Sequence, residues 1–271
     1  MARRSSPLGV FLAARRAACV PEDFGVERDG RRRVAGLRRD EVAARAGISL
    51  EYYVRLEQGR VTRPSDQVTE SLARALRMDA VHADYLHRLA RGAASPARPV
   101  TAQTTESLRV LLEQWPACPA YVTDSALDIL AANDAMLALS GGDLAPGRNA
   151  LLQTFRPESR QSVRDWERVA RDAIASFRFH ADPDSPRVRE LLAQLADDPD
   201  FPRLWALHEV AQPSTFRLSA RVDDLGELEI GVQNFTPPAH PGCFVTMYFA
   251  TPGSVTAEVF ALLTAPSVVA A

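Results

Sequence analysis

The chain has 271 residues, 46% of them hydrophobic and 24% charged. That balance excludes a disordered or collagen-like polymer, and at ~100–200 residues per domain the length suggests two domains. The formal charge of −2, read whole, argues against a nucleic-acid protein, but it is a cancellation. Residues 1–100 hold 19 Arg against 12 Asp and Glu, and residues 101–271 hold 13 against 22. The two parts therefore carry +7 and −9 and face different partners. There is no Lys. A GC-rich genome is the plain cause, yet Arg still matters physically, because its planar fork suits phosphates and guanine edges. Cys19, Cys118 and Cys243 are scattered and odd in number, with no C-x-x-C and no metal spacing to the histidines. Reduced thiols, no metal and no cofactor are expected. No apolar run approaches the ~18 residues of a membrane span, and the first residues are Arg-studded. A cytoplasmic protein without a membrane partner is the expectation.

In chain order, Ser6-Pro7 opens a first helix with Leu8, Phe11 and Leu12 at apolar spacing. Residues 20–36 lack helical period and hold Pro21, Gly25, Gly30 and the run Arg31-Arg32-Arg33, so they read as a loop. A second helix spans 38–46 and stops at Gly47, and Ser49 caps a third that ends at Gly59. Pro64-Ser65 and Asp79 begin a fourth and a fifth. Residues 92–103 are Pro-rich and unpatterned at their start, a linker between domains at 7–91 and 104–264.

Beyond the linker the class changes. A helix over 105–114 precedes two short apolar runs, 120–123 and 129–132, split by a hairpin signal at Asp124-Ser125. Asn133 caps a helix to about Ser140, and Pro157 to Phe179 reads as one long amphipathic helix. Residues 188–195 and 201–208 look like two more. Leu228, Ile230 and Val232 then alternate with polar residues, and 243–250 is nearly all apolar, a strand buried on both faces. Residues 254–263 form a last helix. The expected architecture is an all-α five-helix domain followed by an α+β domain, an antiparallel sheet packed with helices.

Two helices joined by Ala-Gly-Ile-Ser, the second ending Leu-Glu-Gln-Gly-Arg60, are the strongest signal. The spacing turns Ile48, Tyr53 and Leu56 inward and Glu51, Tyr52 and Arg55 outward, where a helix can enter a major groove. Residues 38–60 resemble the helix-turn-helix of the Cro/repressor-type (XRE) family, and the resemblance extends over 7–91. The basic loop, residues 31–39, is similar to that of the MmyB-like subgroup. It implies a double-stranded DNA operator as partner, with Arg31, Arg32, Arg33, Arg38, Arg39, Ser49, Glu51, Tyr52, Arg55, Arg60 and Arg63 as candidate contacts. Arg55 suits a bidentate guanine contact, and an i,i+4 pair with Glu51 is the alternative. The run at 31–33 is expected to track phosphate or a minor groove, with a solvated basic loop as the alternative. In the family the residue matching Glu57 pairs with an Arg of the first helix, here Arg16, a structural pair.

Residues 104–264 resemble the MmyB-like ligand-binding domain, a PAS-like fold. The matching residues include Leu130-Ala-Ala-Asn133, Arg148-Asn149, Asp165-Trp166, Phe201 to His208, Gly226-Glu-Leu228 and Pro252-Gly253-Ser254. Two departures stand out. Gly231-Val232 replaces a His-Tyr pair, and Tyr248-Phe249 replaces Tyr-Thr. The resemblance implies a small-molecule ligand, fatty-acid-like molecules among the possibilities, and a homodimer. Tyr121, Phe155, Trp166, Phe177, Trp205, His208, Phe244 and Tyr248 are candidate walls, with ordinary core as the alternative for each. Asn133 reads as a helix cap. No motif of a phosphate loop, metalloprotease or nucleophile elbow occurs, so an enzyme is not expected. The rival readings are a second domain that only dimerises, an enzyme with an appended DNA-binding module, and a haem or flavin sensor.

Overall fold

The computed structural model describes residues 6–26, 34–92, 100–212, 215–222 and 225–264. They divide into two compact units, the first built on residues up to 94 with 206–211 and the second on 95–205 and 212–271.

The first unit is helical: α1 (Pro7–Ala18), α2 (Arg39–Ala46), α3 (Leu50–Glu57), α4 (Asp66–Ala75) and α5 (Ala80–Arg91). Four of the five begin on a side-chain cap. Ser6, Ser49, Ser65 and Asp79 accept from the N–H of Gly9, Tyr52, Val68 and His82, satisfying donors that the helix cannot. Gly47 ends α2 in the left-handed region, φ 66°, which a residue with a Cβ enters at a cost. Leu12, Leu37, Val42, Tyr53, Leu56, Leu72 and Leu86 are wholly buried and form the core. The expected loop after α1 contains a 3-10 turn, Pro21–Phe24. Its Phe24 ring is covered by the guanidinium of Arg77 at 4.8 Å, and Arg45 donates to its carbonyl.

The second unit is an antiparallel sheet with helices on both faces. In order come α6 (Ala102–Glu113), β1 (Ala120–Thr123), β2 (Ile129–Ala132), α7 (Asp134–Leu139), α8 (Ala150–Thr154), α9 (Pro157–Ser162) and α10 (Trp166–His180). Then follow α11 (Pro186–Gln194), α12 (Phe201–Trp205), β3 (Thr215–Val222), β4 (Gly226–Phe235), β5 (Phe244–Phe249) and α13 (Val255–Thr264). The sheet order is β2-β1-β5-β4-β3. On one face Leu108 and Leu112 of α6 pack on Ala120, Val122, Ala131 and Val245. On the other, Val259 and Phe260 of α13 meet Leu228, Ile230 and Val232. A separate helical core joins Phe155, Ile174, Phe177, Leu191, Phe201 and Leu204.

Three expectations need correction. The helix read from Pro157 to Phe179 is broken after Ser162. Val163 bridges Ala220, the Arg164 N–H donates to the Ser219 carbonyl at 2.8 Å, and Asp165 takes φ 52°. Pairing to a strand remote in sequence wins over helical periodicity there. The helix read to His208 stops at Trp205, and His208 itself takes φ 52°. The edge strand β3 was not foreseen at all, although Phe216, Leu218, Ala220 and Val222 alternate with Thr215, Arg217, Ser219 and Arg221.

Candidate nucleic-acid interface and ligand cavity

The helix-turn-helix is held from behind. Glu57 at the end of α3 is buried, and its two oxygens accept from Arg16 Nε and Arg39 Nε, each at 2.6 Å. Arg16 also donates to the Leu37 carbonyl at 2.9 Å, tying α1 and the approach to α2 onto α3. Burial alone would raise the Glu57 pKa, but the hydrogen bonds from Arg16 and Arg39 outweigh it and hold the carboxyl below its ordinary range. The Tyr53 hydroxyl sits beside this pair without a hydrogen bond of good geometry, and burial pushes its pKa up. The sequence reading gave Glu57 one partner. The structure adds Arg39, a residue expected to face DNA, although 52% of its side chain remains exposed.

On the outer side of α3, Ser49, Leu50, Glu51 and Arg55 are exposed and Tyr52 is half-buried. Neither Glu51 nor Arg55 has an ion-pair partner among the described residues, so the i,i+4 alternative is not formed. Arg60 and Arg63, just past the helix, are exposed, and Arg38 is half-buried before α2. Arg31, Arg32 and Arg33 lie outside the described residues. Leu50 was overlooked by sequence reasoning. It stands in the first turn of α3, 47% exposed, and its apolar type at an outward position was the available signal.

The second unit holds a partly open cavity of about 1000 Å³ between the sheet and α7, α9 and α10. Its floor is made by alternate residues of four strands: Tyr121 and Thr123, Phe216 to Val222, Ile230 to Asn234, and Phe244 to Tyr248. Trp166, Val169, Ala173, Ser176 and His180 of α10 form the facing wall, at helical spacing. Of the aromatic residues singled out in the sequence, Tyr121, Trp166, Phe244 and Tyr248 line this space. The Tyr121 and Tyr248 rings meet edge to face, 6.4 Å apart, and His180 packs on Phe244 at 4.0 Å. Trp166 is anchored by its N–H to the Thr154 carbonyl at 2.7 Å and by Arg160 over its ring at 4.0 Å.

The other candidate walls are not among the residues lining this cavity. Phe155, just past the end of α8, and Phe177 of α10 are buried in the helical core. Trp205 stacks on Phe201 at 5.6 Å beneath Arg178. His208 lies past the end of α12 and does not line the cavity. Helical periodicity marks a buried face but cannot say whether a neighbour or an empty space lies opposite. Phe216, Leu218, Ile230 and Val232 were the residues missed, and the alternation of β3 and β4 was their signal.

Asn133 acts as a cap and a clamp. Its carbonyl oxygen accepts from Met136 and Ala120 at 3.0 Å, and its amide donates to the Trp115 and Cys118 carbonyls. The acidic cluster near 182–200 is also engaged locally: Asp182 accepts from the Asp184 N–H, and Asp198 from Asp200 and Phe201. The two departures from the family pattern face each other, because Gly231 is in register with Phe249 and Val232 with Tyr248. A Cβ at Gly231 would clash with the Phe249 ring, so the aromatic covers the space the glycine leaves.

A capped helix-turn-helix followed by a domain with its own cavity defines a ligand-sensing, DNA-binding regulator of transcription. Residues 7–86 match the model of a helix-turn-helix domain, and residues 104–263 match that described as MmyB-like transcription regulator ligand binding domain. The second match covers more than half of the chain, which belongs to this family of MmyB-like transcription regulators. A search of the curated proteins found no match. No helix of the described residues is long and apolar enough to cross a membrane.

Proposed function

We propose that this regulator reads a specific operator with α3 and responds to a largely apolar small molecule held in the cavity. Arg55, Glu51 and Tyr52 are assigned to base edges in the major groove, and Leu50 to a thymine methyl. Ser49, Arg38, Arg39, Arg60, Arg63 and the run at 31–33 are assigned to the phosphates, which position the helix without carrying sequence information. The functional limits are taken as 7–91 and 104–264, and the protein as a cytoplasmic homodimer. Two copies would set two α3 helices on half-sites about 34 Å apart.

The observation that carries this reading is the two-sided design of α3. Tyr53, Leu56 and Glu57 fix it from within, while Glu51 and Arg55 stand exposed without ion-pair partners among the described residues. Arg55→Ala is the test. Its side chain bears no fold contact described above, so the melting temperature should hold. Discrimination at one base position should fall about 10-fold or more, the ~1–3 kcal/mol of a bidentate contact. Unchanged selectivity in that variant overturns the assignment of α3 as the reading helix.

A further inference from the structure

The cavity wall is graded along the strands. Tyr121 of β1, Thr246 of β5 and Asn234 of β4 are in register and form one polar row across the floor. The Thr246 hydroxyl donates to Asn234 Oδ1 at 2.8 Å, and Tyr121 stands beside Thr246 in the row. The next row is Tyr248, Val232 and Phe216, and beyond it Ile230 faces Leu218. One end of the space is therefore polar and the other apolar.

The charges on the wall are as informative. The lining residues include three carboxylates, Asp143, Glu158 and Asp172, and one arginine, Arg221. Arg221 is exposed and in register with Glu227, at the apolar end of the sheet. Asp143 and Glu158 are tied to Arg156, and Asp172 to Arg168. Among the described lining residues no Arg stands at the polar row, and the remaining basic side chain of the wall is the imidazole of His180, packed on Phe244. A carboxylate buried there would be a charge taken from water with no guanidinium facing it among the described lining residues. The Tyr248 hydroxyl, in contrast, has no hydrogen-bond partner among the described residues, and its side chain is part of the wall. Burial keeps this hydroxyl protonated, so it stays a donor.

We infer that the ligand is a neutral amphiphile: an apolar body with an uncharged hydroxyl, carbonyl or amide head, bound at the row Tyr121, Thr246 and Asn234 and by the Tyr248 hydroxyl. This rests on the cavity being the sensory site, as proposed above, and narrows the chemistry it takes. A free fatty acid has the right body and the wrong head.

The test uses the full chain and three probes of one length: dodecanol, dodecanamide and dodecanoate. Binding is followed by tryptophan fluorescence, Trp166 being in the wall, at about pH 8, where an ordinary carboxylate is ionised. Dodecanol and dodecanamide should bind roughly 10-fold or more tightly than dodecanoate, the size expected for an unpaired buried polar group. Tyr248→Phe, which removes only the unpartnered hydroxyl, should weaken the two neutral probes about 5-fold. Equal or tighter binding of dodecanoate overturns the inference, as does unaltered neutral binding in Tyr248→Phe. Binding of none of the three has a different meaning: it overturns the apolar-ligand reading of the cavity, and the inference falls with it.

Discussion

The Glu57 carboxylate lies between two guanidiniums, and its depressed pKa makes it a stability device with a definite sign. A carboxyl whose folded pKa lies below its unfolded value of ~4.3 contributes fully above that value. The contribution is lost as pH falls through the folded pKa. The helical unit should therefore be stable at neutral pH and lose stability below about pH 4, more steeply than Glu57→Gln. At neutral pH that variant should cost about 3 kcal/mol, the low end for breaking a buried pair, since Arg39 is half exposed. Urea unfolding at several pH values checks both. A Glu57→Gln curve parallel to wild type as the pH falls overturns the linkage. The Arg16–Glu57 pairing was legible through the resemblance of the motif. The share taken by Arg39 was not, because nothing in the sequence says that its guanidinium, at the start of α2, reaches Glu57 at the end of α3.

Elements show the same division. The capped helices of the first unit were legible because capping and helical spacing are local chemistry. Their closeness was not. Gly9 lies within α1, where Ala would raise helix propensity by ~1 kcal/mol. Its α-carbon rests against α3, and a Cβ there would be 2.7 Å from the Leu56 carbonyl oxygen. Backbone cannot step aside as a flexible side chain can, so Gly9→Ala should destabilise by ~1–3 kcal/mol, against the sign of propensity. Thermal melting decides between the two, and a raised Tm refutes the close packing. In the second unit the break between α9 and α10 follows the same logic, because Val163 and Arg164 answer to β3 some 55 residues further on. The candidate walls divided for a related reason. Trp166 and Phe177 share α10, but only Trp166 turns to the cavity.

For the whole molecule, the opposite charges of the two halves match two tasks. The +7 of residues 1–100 suits phosphate neutralisation, and the −9 of residues 101–271 belongs to the half that holds the cavity. Coupling between the tasks is bound by linkage. If a cavity ligand changes operator affinity by some factor, operator DNA changes ligand affinity by the same factor, typically ~5–150-fold. Titrating dodecanol with and without operator, and operator with and without dodecanol, should give matching factors. Binding of both with no change in either refutes the regulatory coupling, while leaving both sites intact.

The sequence by itself determined the helix-turn-helix and its outward residues, and the helices opened by local caps. All of these depend on neighbours a few positions apart, where spacing and side-chain chemistry suffice. Only the tertiary structure decided the second arginine on Glu57, the break before α10, and the cavity wall. Each of these sets residues from distant parts of the chain side by side. The polar row of Tyr121, Thr246 and Asn234 exists because strand pairing brings three separated strands into register, and no periodicity within any one of them records it.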